Sequence, residues 1–325
     1  MIIREPLVQV TYYYLREAPG DSPARRQDRH EAFVTDVSRT LQSLSNWLAL
    51  TAPDMPTIPA WEAEPPRSVQ PLMDSGVLEG RTNVSALLSA YALRNMLLLR
   101  VIVMRSGEHE QTVWSMLDEI LSTTPTTPSW LYTTRYWCGV APRPPEDLEQ
   151  ERLRAVKTAF GVLCLGDESN PHVLVYPDAR TESRANAFLS SLAAELDWYT
   201  VQAHYRRDAY ESHASAVVRN QQRAVEQVTH ATQAWATPAG QMRTLTPLHS
   251  DLDALEAVYG DMLADLQTTN AAAQDMRALA AEYRLRLMQN GMWDAAPTVW
   301  QARVAYLEEA YARIEADVQH IDATL

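Results

Sequence analysis

The strongest constraint on this chain is a long apolar seam near its C-terminal end. Stepping alternately four and three residues from Leu248 reaches Leu252, Leu255, Tyr259, Met262, Leu266, Thr269, Ala273, Met276, Ala280, Tyr283 and Leu287. The same stepping from Trp300 reaches Val304, Leu307, Tyr311, Ile314, Val318, Ile321 and Leu325. A four–three alternation sustained this far keeps one stripe of a helix turned toward a partner, the period of a coiled coil. A helix carrying the first seam is about 65 Å long at a rise of 1.5 Å per residue, longer than a small domain is wide. Part of it must bury against another long helix, of this chain or of a second copy.

Helix-stop signals divide this region. Pro238 and Gly240 in "WATPAGQ" end one helix. In "NGMWDAAP", Gly291 follows a helix end, Asp294 is placed to cap the next helix, and Pro297 lies in its first turn. The pattern predicts three helices, over 182–236, 243–290 and 296–325. The first is less regular. From Leu189 its seam runs through Leu192, Leu196, Tyr199 and Ala203, and then every second position turns polar: Arg206, His213, Asn220 and Gln227. One reading is a buried polar ladder that sets register and oligomeric state or binds a polar ligand. The other, favoured by Val201 and Val218 lying off the stripe, is a drifting seam whose polar side chains face water.

The N-terminal half mixes strands and helices. "LVQVTYYYL" alternates as a strand, with Val8, Val10, Tyr12 and Tyr14 on one face. Phe33, Val37, Leu41, Leu44 and Leu48 recur at helical spacing. The proline-rich stretch within 51–72 reads as a long surface connection. Beyond it the pattern predicts a short helix around "NVSALLSAYAL", a strand in "MLLLRVIVM", a helix in "EHEQTVWSMLDEIL", a strand in "SWLYTTRYWCGV" and an acidic helix in "PPEDLEQERLRAV". The fold class expected is therefore α+β: a mixed α/β head over 1–180, followed by a coiled-coil-like bundle of three long helices over 181–325.

The stretch "AFGVLCLGDESNPHVLVYPD" holds the chemistry most like an active site, Cys164 and His172 around an acidic turn containing Asp167. A Cys–His pair needs the imidazole within hydrogen-bond reach of sulfur. Cys164, however, sits in an apolar run where cysteine is ordinarily an inert small hydrophobe, and "GDESNP" is turn chemistry. The hairpin reading is preferred, with no catalytic residue assigned. No pair of cysteines has metal-ligand spacing, and "HEA" at His30 lacks the second histidine of a zinc-protease helix. "GEHEQ" around His109 is read as the acidic start of a helix, and "GVLEG" as a turn. No GxGxxG or GxxxxGK loop occurs. No metal or cofactor is expected, and the balance leans away from an enzyme.

With 28 basic against 41 acidic residues the formal charge is −13, which disfavours nucleic acid and anionic membranes. For that reason the aromatics of "TYYYL" and "WLYTTRYWC" are assigned to strand packing rather than base stacking. Two cysteines fit a reducing compartment. "MIIREPLVQV" lacks a signal-peptide pattern. "NMLLLRVIVM" is too short to span a bilayer and contains Arg100. A soluble, cytoplasmic protein is expected.

Taken together, "REPLVQVTYYYL", "VLCLGDESNPHVLVYPD" and "NAFLSSLAAELDWYTVQAHYRRD" resemble the bacterial caspase- and TPR-repeat-associated (CATRA) family over most of the chain. The resemblance implies a non-enzymatic sensor, scaffold or adaptor of a biological conflict (antiviral defence) system, with a caspase-like protease as its partner. It brings no catalytic signature. The seams through Leu248 to Leu266 and Val304 to Val318 fit either a homo-oligomer or a compact antiparallel bundle closed within one chain. The alternatives are an enzyme using Cys164 and His172 in the head and a ligand-gated helical sensor using Arg206, His213, Asn220 and Gln227.

Overall fold

A computed structural model describes residues 2–18, 20–51, 58, 66–80, 83–122, 130–142, 155–164, 166, 171–235, 245–293 and 299–324. It is a mixed α/β structure with an N-terminal sheet and C-terminal helices. The chain divides into two compact units: Met1–Val201 with Gly291–Val299, and Gln202–Asn290 with Trp300–Leu325. The division falls after Val201 rather than at 180, because the first turns of a long helix belong with the sheet.

The first unit is built on β1 (Ile2–Leu15), β2 (Gln70–Glu79), β3 (Val84–Leu93), β4 (Met96–Arg105), β5 (Glu108–Glu110), β6 (Tyr132–Val140), β7 (Ala155–Thr158), β8 (Gly161–Cys164) and β9 (His172–Tyr176). They form one sheet in the order β2-β3-β4-β1-β6-β9-β8-β7, with β5 extending it beside the start of β1. β6 and β9 are parallel and the other pairs antiparallel. The helices of this unit are α1 (Pro23–Trp47), α2 (Thr112–Ser122) and α3 (Ala179–Ala187). A π-helical turn, Phe188–Leu192, then leads into α4 (Ala193–Trp235).

Alternation along β1 splits its side chains between the two faces of the sheet. Val8, Val10, Tyr12 and Tyr14 join one core with Phe33, Val37, Leu41, Leu44 and Leu48 of α1 and with Trp114 and Leu117 of α2. Each such side chain contributes about 1.5–3 kcal/mol on burial. Tyr14 meets Phe33 edge-on at 5.1 Å. Trp114 stacks on Trp137 at 5.9 Å and donates its indole N–H to the Cys138 carbonyl at 2.9 Å. α1 is capped at its start: Ser22 accepts from the Arg25 amide and Pro23 occupies the first turn. The aromatic segments pack as strands, with Tyr12, Tyr13, Tyr14 and Tyr136 buried.

Three local expectations are corrected. "NVSALLSAYAL" is not a helix but β3. Val84, Ala86, Leu88, Ala90 and Ala92 alternate into the core while Ser85, Leu87, Ser89 and Tyr91 take the other face. Its alanines and leucines suit a helix, yet pairing with β4 overrides that propensity. The connecting turn is Arg94–Asn95, and Arg94 carries a positive φ of 52° without being glycine. "GEHEQ" is not a helix start, since Glu108–Glu110 pair with Ile2–Arg4 as β5 and α2 begins only at Thr112. "GVLEG" lies on β2, whose register shifts between Asp74 and Val77, rather than being a simple turn. The acidic helix expected over "PPEDLEQERLRAV" and most of the proline-rich connection lie outside the described residues. At the boundaries of those segments, Ala155 begins β7 and Ile58 is buried.

The second unit comprises the remainder of α4 together with α5 (Leu245–Gln289) and α6 (Val299–Thr324). Gly291 ends α5 with a φ of +64°, the left-handed conformation typical just past a helix. The stop at Pro238 and Gly240 and the cap at Asp294 lie outside the described residues.

Candidate functional site

The parity of the strands decides the fate of Cys164 and His172. Cys164 pairs with Val173 across β8 and β9, and both lie in the core that faces α1 and α2. His172, one residue earlier, therefore projects from the opposite face. There its ring tilts against Tyr136 at 4.7 Å, and its Nδ1 accepts the Gly166 amide at 2.8 Å. The two side chains form no dyad. Asp167 lies outside the described residues. Both cysteines are buried, and burial pushes the Cys138 thiol well above its ordinary range. Among the described residues no cluster of histidine, cysteine and carboxylates is placed to hold a metal.

The polar ladder of α4 is partly engaged rather than turned to water. The Arg206 guanidinium donates to the Asp275 carbonyl at 3.1 Å and lies 3.5 Å from its carboxylate. Asn220 donates to Asp265 at 2.8 Å, and His213 Nε2 lies 3.5 Å from the other oxygen of that carboxylate. Asp265 is 7 % exposed and Thr269 is fully buried, so a polar layer runs between α4 and α5. Gln227 faces solvent.

Along the seam of α5, Met262, Ala273, Met276, Ala280, Tyr283 and Leu287 are buried, and Leu266 is half-buried. On α6, Val304, Leu307 and Ile314 are buried, with Tyr311 and Val318 partly so. α6 meets α4 through Tyr306 with Arg207 and through Asp317, which accepts from Tyr210 at 2.5 Å. It meets α5 through Glu308 with Arg284 and through Tyr311 under Arg277.

The seam changes character beyond these contacts. Leu252 is exposed, Leu255 is half-buried and Tyr259 is 55 % exposed. Across the groove from Leu255 and Tyr259, Val228 of α4 is exposed and Val225 is 56 % exposed. Val225, Val228, Leu255, Val258 and Tyr259 line an open groove of about 370 Å³. The side chain of Leu248 lies outside the description. Scattered single apolar residues need no explanation on a surface, but apolar side chains gathered along one groove do.

The sequence reading did not anticipate a second feature, on the sheet face away from α1 and α2. Across β3, β4, β1 and β6, Ser89 pairs with Arg100, Arg100 with Thr11 and Thr11 with Thr134. All four are buried, a polar row within an otherwise apolar sheet. Beside it Tyr136 donates to the buried Asp197 carboxylate at 3.1 Å, and Gln9 donates to the Leu189 carbonyl of the π-helical turn at 3.4 Å. The β3–β4 turn holds the start of α4: Arg94 lies 4.2 Å over Trp198, whose indole donates to Asn95 at 3.3 Å. A cavity of about 320 Å³ opens between this face and the helical segment carrying Glu182, Asn186 and Leu189. The available signal was a charged residue, Arg100, centred in an apolar strand.

No protein-family model matches this chain, and no curated protein or solved structure matches it either. No helix among the described residues is long and apolar enough to cross a membrane.

Proposed function

We propose that this chain is a non-enzymatic adaptor of a bacterial defence system that acts in the cytoplasm through protein–protein contacts. On this reading its long helices form a coiled-coil-like bundle, and a caspase-like protease, the partner implied by the CATRA resemblance, docks an amphipathic helix in the open groove. The observation that carries the reading is the open groove lined by Val225, Val228, Leu255, Val258 and Tyr259, where the buried seam of α5 gives way to apolar side chains reached by solvent. Exposed charges stand on both helices that form the groove, Arg219, Arg223 and Glu226 on α4 and Asp253, Glu256 and Asp261 on α5. Such a frame gives an incoming helix both orientation and register. The separation of Cys164 from His172 supports the non-enzymatic part of the proposal.

The test is co-expression with a caspase-like protease, followed by light scattering on the purified material. The wild type is expected to form a complex, and Val225→Glu/Tyr259→Glu is expected to lose it while melting at the wild-type temperature. Failure of the wild type to bind, or undiminished binding by the double variant, overturns the proposal. Measuring the mass of the chain alone over a hundredfold concentration range tests the homo-oligomer separately.

A further inference from the structure

Burying an arginine is costly unless its charge is matched. Arg100 is 9 % exposed, and its described polar contacts are with Tyr91 alone: a hydrogen bond to the hydroxyl and a cation–π contact at 4.6 Å. Its Nε is buried without a hydrogen-bond partner among the described residues. This side chain lines the 320 Å³ cavity between the sheet and the π-helical turn. Gln9, 2 % exposed, lines the same cavity and is anchored to the turn. π-Helical turns cost hydrogen-bond geometry and concentrate at functional sites. This one contributes Leu189 and Ser190 to the cavity wall. The remainder of the lining has two characters. Leu87, Ile102 and Met104 make an apolar floor, whereas Glu5 and Glu182 bring carboxylates, with Glu5 exposed and holding the Gly107 amide at 3.0 Å.

We propose that this cavity binds a small organic monocarboxylate with an aliphatic body and a cationic tail, the carboxylate meeting Arg100, the body lying on Leu87, Ile102 and Met104, and the tail facing Glu182. A carboxylate supplies the anion that a buried guanidinium favours and accepts charge-assisted hydrogen bonds from it. Polyanions such as nucleotides are disfavoured by Glu5 and Glu182. The inference is independent of the helical groove, since every residue it uses belongs to the first unit.

The experiment is thermal melting of the full chain with octanoate, ω-aminooctanoate or octylamine at millimolar concentration, with calorimetric titration of whichever shifts the melt. Both carboxylates are expected to raise the melting temperature, ω-aminooctanoate more than octanoate, and octylamine not at all. Arg100→Met is expected to weaken carboxylate binding about ten- to hundredfold, the effect of one charge-assisted hydrogen bond. Ser190→Trp, at an exposed wall position, is expected to block binding with Arg100 intact, and it decides the matter if Arg100→Met fails to fold. The proposal is overturned if no carboxylate shifts the wild type, if octylamine shifts it equally, or if binding persists in Ser190→Trp.

Discussion

The polar layer between α4 and α5 makes a sharp energetic claim. Asp265 is 7 % exposed and accepts from Asn220 at 2.8 Å. A hydrogen bond to a charged group contributes about 1.5–3 kcal/mol. Because Asn220 is only half-buried, water competes for its amide, and the lower end of that range, about 1.5 kcal/mol, is expected for the pair. The assay is a double-mutant cycle of Asn220→Ala, Asp265→Ala and the double variant, by urea denaturation followed through the helical circular-dichroism signal. Each single variant should be destabilised. The double should be less destabilised than the sum by about 1.5 kcal/mol, because the second truncation removes a partner already lost. His213 stays in place throughout, so its contact with Asp265 is lost alike in both variants lacking the carboxylate. A coupling energy below about 0.5 kcal/mol, the usual additivity error, refutes the reasoning. The layer would then be a surface arrangement without energetic weight.

Met276→Ala, in the fully buried part of the α5 seam, should cost about 2–5 kcal/mol; a urea midpoint unchanged from wild type would contradict the packing. Cys138 and Cys164, both buried, should react with iodoacetamide at neutral pH only on unfolding, and mass spectrometry of briefly treated native protein should find neither labelled. The Asp178 carboxylate caps α3 by accepting from the Thr181 amide at 2.8 Å and from the Thr181 hydroxyl, contacts that hold its pKa below the ordinary range. The stability it contributes is fully present above the ordinary aspartate pKa and is lost as pH falls through the depressed folded value. Protection factors for amide exchange in Ala179–Ala187, corrected for the intrinsic rate, should therefore fall in acid, and Asp178→Asn should flatten that dependence.

The sequence was legible wherever one periodicity acted alone. β1 alternates plainly, α1 carries a clean apolar face, and the α5 seam is visible at heptad spacing because each keeps a single period along its length. β3 was misread because both its faces are half-apolar: Leu87 and Tyr91 on one side and Leu88 and Ala90 on the other erase the alternation. Its hairpin turn also lacks the glycine that marks such turns, since Arg94 itself takes the positive φ. The Cys164–His172 question hinged on strand register, which the linear order leaves open by one residue. The Arg100 cavity was out of reach for a different reason. Ser89, Arg100, Thr11 and Thr134 become neighbours only when four strands align, so no local window contains the row. The ladder was half visible: its spacing was plain, but Asp265 and Asp275, the carboxylates that engage it, lie on another helix.

The place of β1 in the sheet bears on how the chain is made. It leaves the ribosome before either of its long neighbours and is one of the most deeply enclosed strands, paired on one side with Met96–Met104 and on the other with Tyr132–Cys138. At a synthesis rate of roughly 5–20 residues per second, neither neighbour exists for the first several seconds. During that interval "VTYYYL" presents unpaired backbone and aromatic surface, the combination most prone to off-pathway pairing. The pairing of β1 on both sides is complete only after β6 has emerged. A chain stalled before that point leaves one edge of β1 without its partner strand.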